Sequence, residues 1–333
     1  MTEDLERMKG AFAHIQGEGP ILAAEMRKRL NATFPKQREL MAEEEVTGKI
    51  VKWADDAMFS AEPIQDPYGG PKVYLLWMTP DPLGAIAAMC RMYEGKPTYK
   101  LTDITRAERI HYWEQVQKTH LQAPLEAVKL HFFIEGVDRA FTHQMVRQRK
   151  AVFAQESLRF AVKTDITNET SIPPSIGPDG PLTEKWLRTL QSIEEAYNYL
   201  IDNGVPAEDA RGLLPHSVLT RLNYVTDLRN LLEHAGNRLC TQAQFVWRDV
   251  FIQLVDAIRT FDAQFNSYSQ MWQCELIANS NVFKPVCFRL GHCPFTASFD
   301  RGCTIRTRVQ EGRWDEIDPH EFMSDPNAGR TTK

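Results

Sequence analysis

No run of eighteen apolar residues occurs in the 333-residue chain, so no membrane-spanning helix and no membrane partner are expected. There is no basic excess either. The 39 Lys and Arg face 44 Asp and Glu, a net charge of −5, which argues against a nucleic-acid polymer as partner and makes any anion site local. Cysteine is sparse at six, no two stand at C-x-x-C spacing, and a disulfide scaffold is not expected. Neither glycine loop that cradles phosphates in Rossmann or P-loop folds is present. Internal repeats and low-complexity runs are missing too. The opening MTEDLERMKG is acidic and lacks the apolar centre of a signal peptide, so a cytoplasmic protein is expected.

The chain does hold enough apolar material for a substantial core, 43% hydrophobic and 10% aromatic, in one large domain or two smaller ones. Leu5, Met8, Phe12 and Ile15 recur at helical spacing, and residues 1–69 read as mostly helical up to the breaker cluster Asp66-Pro67-Tyr68-Gly69-Gly70-Pro71. Val73 to Met78 reads as a buried strand, and Asp81-Pro82 as a cap followed by proline at the first helical position. Thr105 and Glu108 predict a capping box for a helix reaching Lys118. Leu130 to Ile134 reads as a strand and Val137 to Arg147 as a helix. Residues 164–182 read as a mobile surface loop, and Glu184 to Asn203 as a helix ended by Asn203-Gly204. Val218, Leu222, Val225, Leu228 and Leu232 predict an amphipathic helix from Ser217; Val250, Leu254, Ile258, Phe261 and Phe265 predict another. Together these elements predict an α+β fold with helices outnumbering strands.

The richest stretch is Arg139 to Phe160, RAFTHQMVRQRKAVFAQESLRF. Arg147, Arg149, Ser157 and Arg159 fall within thirteen residues, flanked by apolar positions rather than acids. Guanidinium forks offer bidentate donors and keep their charge, so the stretch suggests a ligand carrying phosphate. Two further blocks carry arginines in order along the chain, GVPAEDARGLLPHSVLTR from Gly204 and DLRNLLEHAGNRLCTQAQ from Asp227.

The three blocks resemble the flavin-dependent thymidylate synthases, whose signature runs Arg-His-Arg, seven residues, Ser, and an Arg two further on. The resemblance spans residues 70–265, implies that fold (a mixed sheet with packed helices) for a catalytic core there, and leaves 1–69 as a helical N-terminal extension and 266–333 as a C-terminal one. It implies C5 methylation of a uridine nucleotide, dUMP or UMP. FAD would be the cofactor, methylenetetrahydrofolate the one-carbon donor and NADPH the reductant. It also implies a homotetramer with sites shared between subunits. Carried over residue by residue, it assigns Gln144, Gln155, Glu156, Ser157, Arg159 and Arg211 to the nucleotide and Arg238 to the pyrimidine carbonyls. It assigns Arg147, Gln148, Arg149, Glu126, Ala123, Asp227, Arg229 and Glu233 to the flavin, and His120 to the folate and flavin face. Arg238, Ser157 and Gln148 stand nearest the chemistry, although no His or Lys base adjoins Ser157 and a phosphate-ligand role suits it better.

Gln148 stands where the family has His, Ala154-Gln155 where it has Asn-Glu, and Ala123 where it has a small hydroxyl residue. Glu126-Ala127 replaces Glu-His, Glu233 replaces His or Asn, and Asp227 replaces Asn. The changes cluster around base, sugar and flavin, while the phosphate-type arginines persist. They keep open a relative acting on UMP, one stopping at a hydroxymethyl group, and a non-catalytic flavin or nucleotide binder. Other readings compete: Arg211 could pair with Glu208 or Asp209, His131, His143, His216 and His234 read as packing or surface residues, and Phe141 and Met145 as core. In the C-terminal part Cys274, Cys287, Cys293 and Cys303 are weak metal candidates beside packed free thiols.

Overall fold

The structure, a computed structural model, describes residues 70–177, 180–240, 243–261, 271–280, 283–290, 292–294, 311 and 313. The helices and boundary expected in 1–69, together with Phe265 and Cys303, lie outside the described residues. Strands β1 (Lys72–Met78), β2 (Lys129–Asp138), β3 (Val152–Gln155) and β4 (Leu219–Asp227) form one sheet in the order β1-β2-β4-β3. The α+β class stands, but the described sheet is antiparallel throughout rather than mixed. The excursion over residues 139–218 returns to the end of the sheet it left, placing Leu219 opposite Asp138, so β4 must run against β2.

The pleat sorts side chains into two faces. Leu75, Phe132, Tyr224 and Phe153 stand in one row across the inner face, with Phe132–Tyr224 and Phe153–Tyr224 ring centroids 6.0 and 5.3 Å apart. Trp77, His131, Val225 and Val152 form a row on the outer face, where Trp77 is 46% and Val152 66% exposed. At Gly136, inside a register shift of β2, φ is +68° and a Cβ would stand 2.7 Å from the Gly70 carbonyl, so only glycine fits.

The helices are α1 (Pro82–Tyr93), α2 (Arg106–Lys118), α3 (Arg139–Met145), α4 (Pro181–Asp202), α5 (Ala207–Ala210), α6 (Leu228–Arg238), α7 (Val246–Arg259), α8 (Met271–Ala278) and α9 (Val286–Leu290). The capping box of Thr105 and Glu108 forms. Val250, Leu254 and Ile258 are buried along α7, which packs on β1.

The amphipathic helix expected from Ser217 is instead β4 followed by α6. Besides Asp227 at its end, β4 buries four residues at alternate positions, Thr220, Leu222, Tyr224 and Thr226. Two of the four are threonines, so the two-residue period is hidden from a hydrophobicity count while Leu222 and Val225 imitate a helical one. Asp138 and Asp227 each end a strand and cap the next helix, accepting from Phe141 N at 2.6 Å and Asn230 N at 2.9 Å. That is also why α3 starts at Arg139 rather than Val137.

The 164–182 segment is tied down rather than loose. Thr170 bridges to Val218, Leu219 N donates to Glu169 O at 2.8 Å, and Ile166 is fully buried with Leu190, Tyr197 and Ala210. Elsewhere Asp81, at φ +49°, caps α1 while accepting from Arg109 Nε and Nη2 at 3.0 and 2.7 Å and from Gln273 Nε2 at 2.9 Å. Gln273 Oε1 in turn accepts from Leu83 N at 2.8 Å, so α8 is stitched to the start of α1. Burial alone would raise the Asp81 pKa; the bonds from Arg109 and Gln273 outweigh it and hold it below the ordinary carboxylate value.

Candidate active site

Helix α3 joins two neighbouring polar sites. Its first N–H groups, on Arg139 and Ala140, donate to the Val218 and His216 carbonyls at 3.2 and 3.0 Å. Arg139 and His143, one turn apart, thereby face residues 211–218, while Gln144 is turned to α6 and α7.

On the Gln144 side, Arg238 donates from Nη1 to Gln144 Oε1 at 3.3 Å and from Nη2 to the Gln144 carbonyl at 3.4 Å. Its guanidinium carbon lies 4.6 Å above the centre of the Trp247 ring. Trp247 Nε1 donates to Gln144 Oε1 at 3.0 Å, and Gln144 Nε2 donates to Gln244 Oε1 at 2.6 Å. The cradle is neutral throughout, and Arg238 Nε is buried without a partner. Burial lowers the Arg238 pKa, and the like charge of Arg147 lowers it further. Among the described residues no carboxylate lies within ion-pair distance of Arg147, Arg149 or Arg238. Arg147 and Arg149 are exposed. Below Arg238, His234 is 7% exposed, meets Trp247 and Phe251 edge to face, and has neither ring nitrogen partnered. Burial first, then Arg238, depresses its pKa to about 3, so the ring is neutral.

Gln148, in the signature, is fixed between two elements. Its Oε1 accepts from Tyr224 Oη at 2.8 Å and its Nε2 donates to the Asn230 carbonyl at 3.1 Å. Asn230 also donates to the carbonyl of Lys150, whose φ is +61°. Burial holds the Tyr224 hydroxyl well above the ordinary phenol pKa.

A third group gathers residues far apart in sequence. Arg229 Nη1 lies 2.7 Å from Glu126 Oε1 and its Nε 3.3 Å from Glu233 Oε1. Ala123 shares the short turn Ala123–Ala127 with Glu126. Asp227 holds Lys129 Nζ at 3.2 Å besides capping α6. His120 is exposed just after α2.

The last group surrounds an open cleft of about 440 Å3 beside β3 and β4, lined by Arg139, His143, Leu158, Arg211, Leu214 and His216 among others. Arg211 Nε donates to the Glu208 carbonyl at 3.1 Å, and among the described residues no carboxylate forms an ion pair with it, so the expected competition from Glu208 or Asp209 is not seen. Glu208 pairs instead with Arg159, at 2.7 Å. Exposed Ser157 accepts from Arg159 N at 3.3 Å. Gln155 Nε2 donates to Thr142 Oγ1 at 2.9 Å. Glu156 is committed elsewhere: its carboxylate meets Lys163 at 3.3 Å and Arg221 at 3.2 Å.

Phe141 and Met145 are fully buried, as expected of core residues. His131 bonds Asn223 at 2.9 Å, and the exposed His143 and His216 meet edge to face at 5.3 Å. Among the described residues no group of three or more His, Cys, Asp or Glu is arranged to hold a metal. Cys274 is buried, which pushes its thiol up to about 11. Trp247, Tyr224, Asn230 and Gln244 escaped notice in the sequence. Only Trp247 left a signal there, as an indole three residues beyond the third arginine block.

The family model described as thymidylate synthase complementing protein matches residues 74–262. The flavin-dependent thymidylate synthase of Pyrococcus horikoshii is 32% identical over 251 residues, covering 74% of this chain and 98% of that one. That of Geobacter sulfurreducens is 30% identical over 190 residues, covering 56% and 82%. Similar solved structures include a UMP/dUMP methylase from Streptomyces cacaoi bound with 5-Br dUMP, at 19% identity and TM-score 0.41, covering 50% of this chain and 78% of that one. Another is thymidylate synthase X from Helicobacter pylori with FAD and dUMP, at 17% identity and TM-score 0.44, covering 63% and 100%.

Proposed function

The chain belongs to the flavin-dependent thymidylate synthase family, and from that premise we propose that it methylates C5 of a uridine nucleotide, dUMP or UMP. Methylenetetrahydrofolate is the one-carbon donor, FAD the cofactor and NADPH its reductant. One observation carries the reading: Arg238 is held over Trp247 by the neutral Gln144 and feels the like charge of Arg147, with no described carboxylate paired to Arg147, Arg149 or Arg238. A partly buried arginine kept clear of acids, as Arg238 is, calls for an anionic ligand.

C5 must act as a nucleophile, which drives negative charge onto the ring carbonyls. Arg238, fixed by Gln144 and Trp247, is placed to stabilise that charge without reorganising. Arg147 and Arg149 suit the phosphates of FAD, because both guanidiniums are exposed and free of described carboxylates. Arg229, Glu126, Glu233 and Asp227 form an adjoining polar surface for the same cofactor. Bound at these residues, reduced flavin would supply the hydride needed to bring the transferred methylene to a methyl group. Gln148 orients the signature loop through Tyr224 and Asn230 and neither gains nor loses a proton. Ser157, Arg159, Arg211 and Gln155 take the phosphate and sugar end, and residues 70–265 act as the catalytic core, in a protein that works in the cytoplasm.

Self-assembly into a homotetramer is supported by the outer sheet face, where Tyr74, Trp77 and Val152 are exposed in ordered rows. No described helix is long and apolar enough to cross a membrane.

The test is incubation with FAD, NADPH, methylenetetrahydrofolate and either dUMP or UMP, with products identified by mass. One methyl added to dUMP alone makes the protein a thymidylate synthase; a methyl on UMP, or a hydroxymethyl on either, assigns the altered residues to a retuned substrate or outcome. No product with flavin and nucleotide still bound would reject catalysis in favour of a binding role.

A further inference from the structure

We propose that Lys163 is a positioning residue for the nucleotide: through Glu156 it latches the loop 157–162, which carries Ser157 and Arg159. The inference rests on the nucleotide reading above and adds a side chain that lies outside the three arginine blocks.

Glu156 and Lys163 stand seven positions apart and close the loop between them. Lys163 Nζ lies 3.3 Å from Glu156 Oε2 and 2.8 Å from Glu169 Oε2. A lysine is seldom buried unless paired, and this one is 7% exposed. The two ends of the loop are anchored in different elements. Glu156 N donates to the Arg221 carbonyl in β4 at 3.0 Å, and Lys163 N donates to Tyr197 Oη in α4 at 3.5 Å. Glu169 extends the anchor, since its carbonyl accepts from Leu219 N at the start of β4. Between the ends, Phe160 N and Ala161 N donate to the Ser157 carbonyl at 3.1 and 2.9 Å, and Leu158 is buried. Ser157, Arg159 and Phe160 are exposed. The segment is a compact surface loop whose exposed residues take their place from its closed ends.

Both carboxylate oxygens of Glu156 are occupied within the protein. Oε1 accepts from Arg221 Nε and Nη2 at 3.3 and 3.2 Å, while Oε2 meets Lys163 and accepts from Thr220 Oγ1 at 3.4 Å. Although it adjoins Ser157, Glu156 therefore serves as an anchor rather than a ligand. A buried ion pair adds little net stability, because desolvation offsets the attraction, yet removing one partner strands the other charge. Its effect falls on geometry. Without Lys163, Glu156 and Glu169 would repel each other across the position it left, and the loop would lose its latch. Ser157 and Arg159 would then reach their ligand geometry in a fraction of molecules, and apparent affinity would fall by that fraction. The pair of Arg159 with Glu208 is exposed at both ends and does not replace the latch.

Dissociation constants for dUMP, UMP, deoxyuridine and FAD, together with kcat and KM, are to be measured on the full-length protein and on Lys163→Met, Lys163→Arg and Lys163→Met/Glu156→Gln. In Lys163→Met, nucleotide monophosphate affinity should fall and KM rise about tenfold, the latched arrangement being populated about a tenth of the time. Deoxyuridine and FAD affinities should stay within about twofold, as should kcat, since saturating nucleotide restores the loop. Lys163→Arg should recover part of the loss. The double variant strands no charge at Glu156 yet has no latch, so its loss should be smaller but present. Unchanged nucleotide affinity in Lys163→Met overturns the proposal and leaves the function reading intact. Equal losses for nucleotide, deoxyuridine and FAD overturn it as well, since they mark a general loss of structure. Should Lys163→Met fail to fold, the double variant carries the same comparison, and full nucleotide affinity there overturns the proposal. If the unaltered protein binds neither dUMP nor UMP, the function reading falls and the proposal with it.

Discussion

Arg109 and Arg238 are both drawn into the body of the protein, and they are treated in opposite ways. Arg109 is 13% exposed and grips the Asp81 carboxylate with two donors, while further donors reach the carbonyls of Ile104 and Leu101. Arg238 meets a glutamine side chain, a carbonyl and an indole face, keeps its Nε unpartnered, and faces another arginine. A fully matched arginine locks elements together, and an under-matched one keeps donors unused within the protein. Arg229, paired with Glu126 and Glu233 at the surface, lies between the two.

Four substitutions test that division. Asp81→Ala should have the largest effect, because it strands a buried Arg109, removes the α1 cap and cuts the link to Gln273; denaturant titration should show a loss of about 3–5 kcal/mol. Arg238→Ala should instead lower kcat about 10²–10³-fold, read by product formation, with less change in stability than Asp81→Ala. If it unfolds the protein as Asp81→Ala does, the two arginines are not different in kind.

His234→Phe probes the unpartnered ring beneath Arg238. Unfolded, the imidazole takes a proton near pH 6.5; folded, only near pH 3, so its contribution is complete above pH 6.5 and is lost as pH falls between those values. Stability should drop by about 1.4 kcal/mol per pH unit through that window from this group. His234→Phe should flatten the slope in denaturation curves at pH 4 to 7, and an unaltered slope would remove His234 as its source. The smallest effect is expected for Glu126→Gln: the Arg229 pair is exposed, so stability should change by less than about 1 kcal/mol. Its flavin affinity, followed by fluorescence, is the sharper readout.

How much of this could be read from the sequence varies element by element. Thr105 and Glu108, Asp81-Pro82 and Asn203-Gly204 act through local chemistry and formed where their spacing placed them. Strand β4 was taken for a helix, since Thr220 and Thr226 fill inward positions that a hydrophobic count leaves blank. β3 is only four residues long and depends on pairing with a strand almost seventy residues away. At the site, the arginines announced themselves by type and spacing. Whether each was already matched did not, because Glu126 meets Arg229, and Glu208 meets Arg159, only after distant segments converge. Tyr224 and Trp247 joined the site through their hydroxyl and indole N–H, directions that no one-dimensional pattern records.

The Gln148 amide has a consequence for how the protein responds to its surroundings. A backbone carbonyl can only accept, so Asn230 forces the NH2 end one way and leaves the oxygen for Tyr224. Neither partner changes charge across the range in which cells acidify: the amide does not titrate, and burial lifts the tyrosine far beyond it. An imidazole at the same joint would make the signature loop a proton sensor. With glutamine there, the joint is deaf to pH, and the loop it carries keeps one setting in acid and neutral surroundings alike.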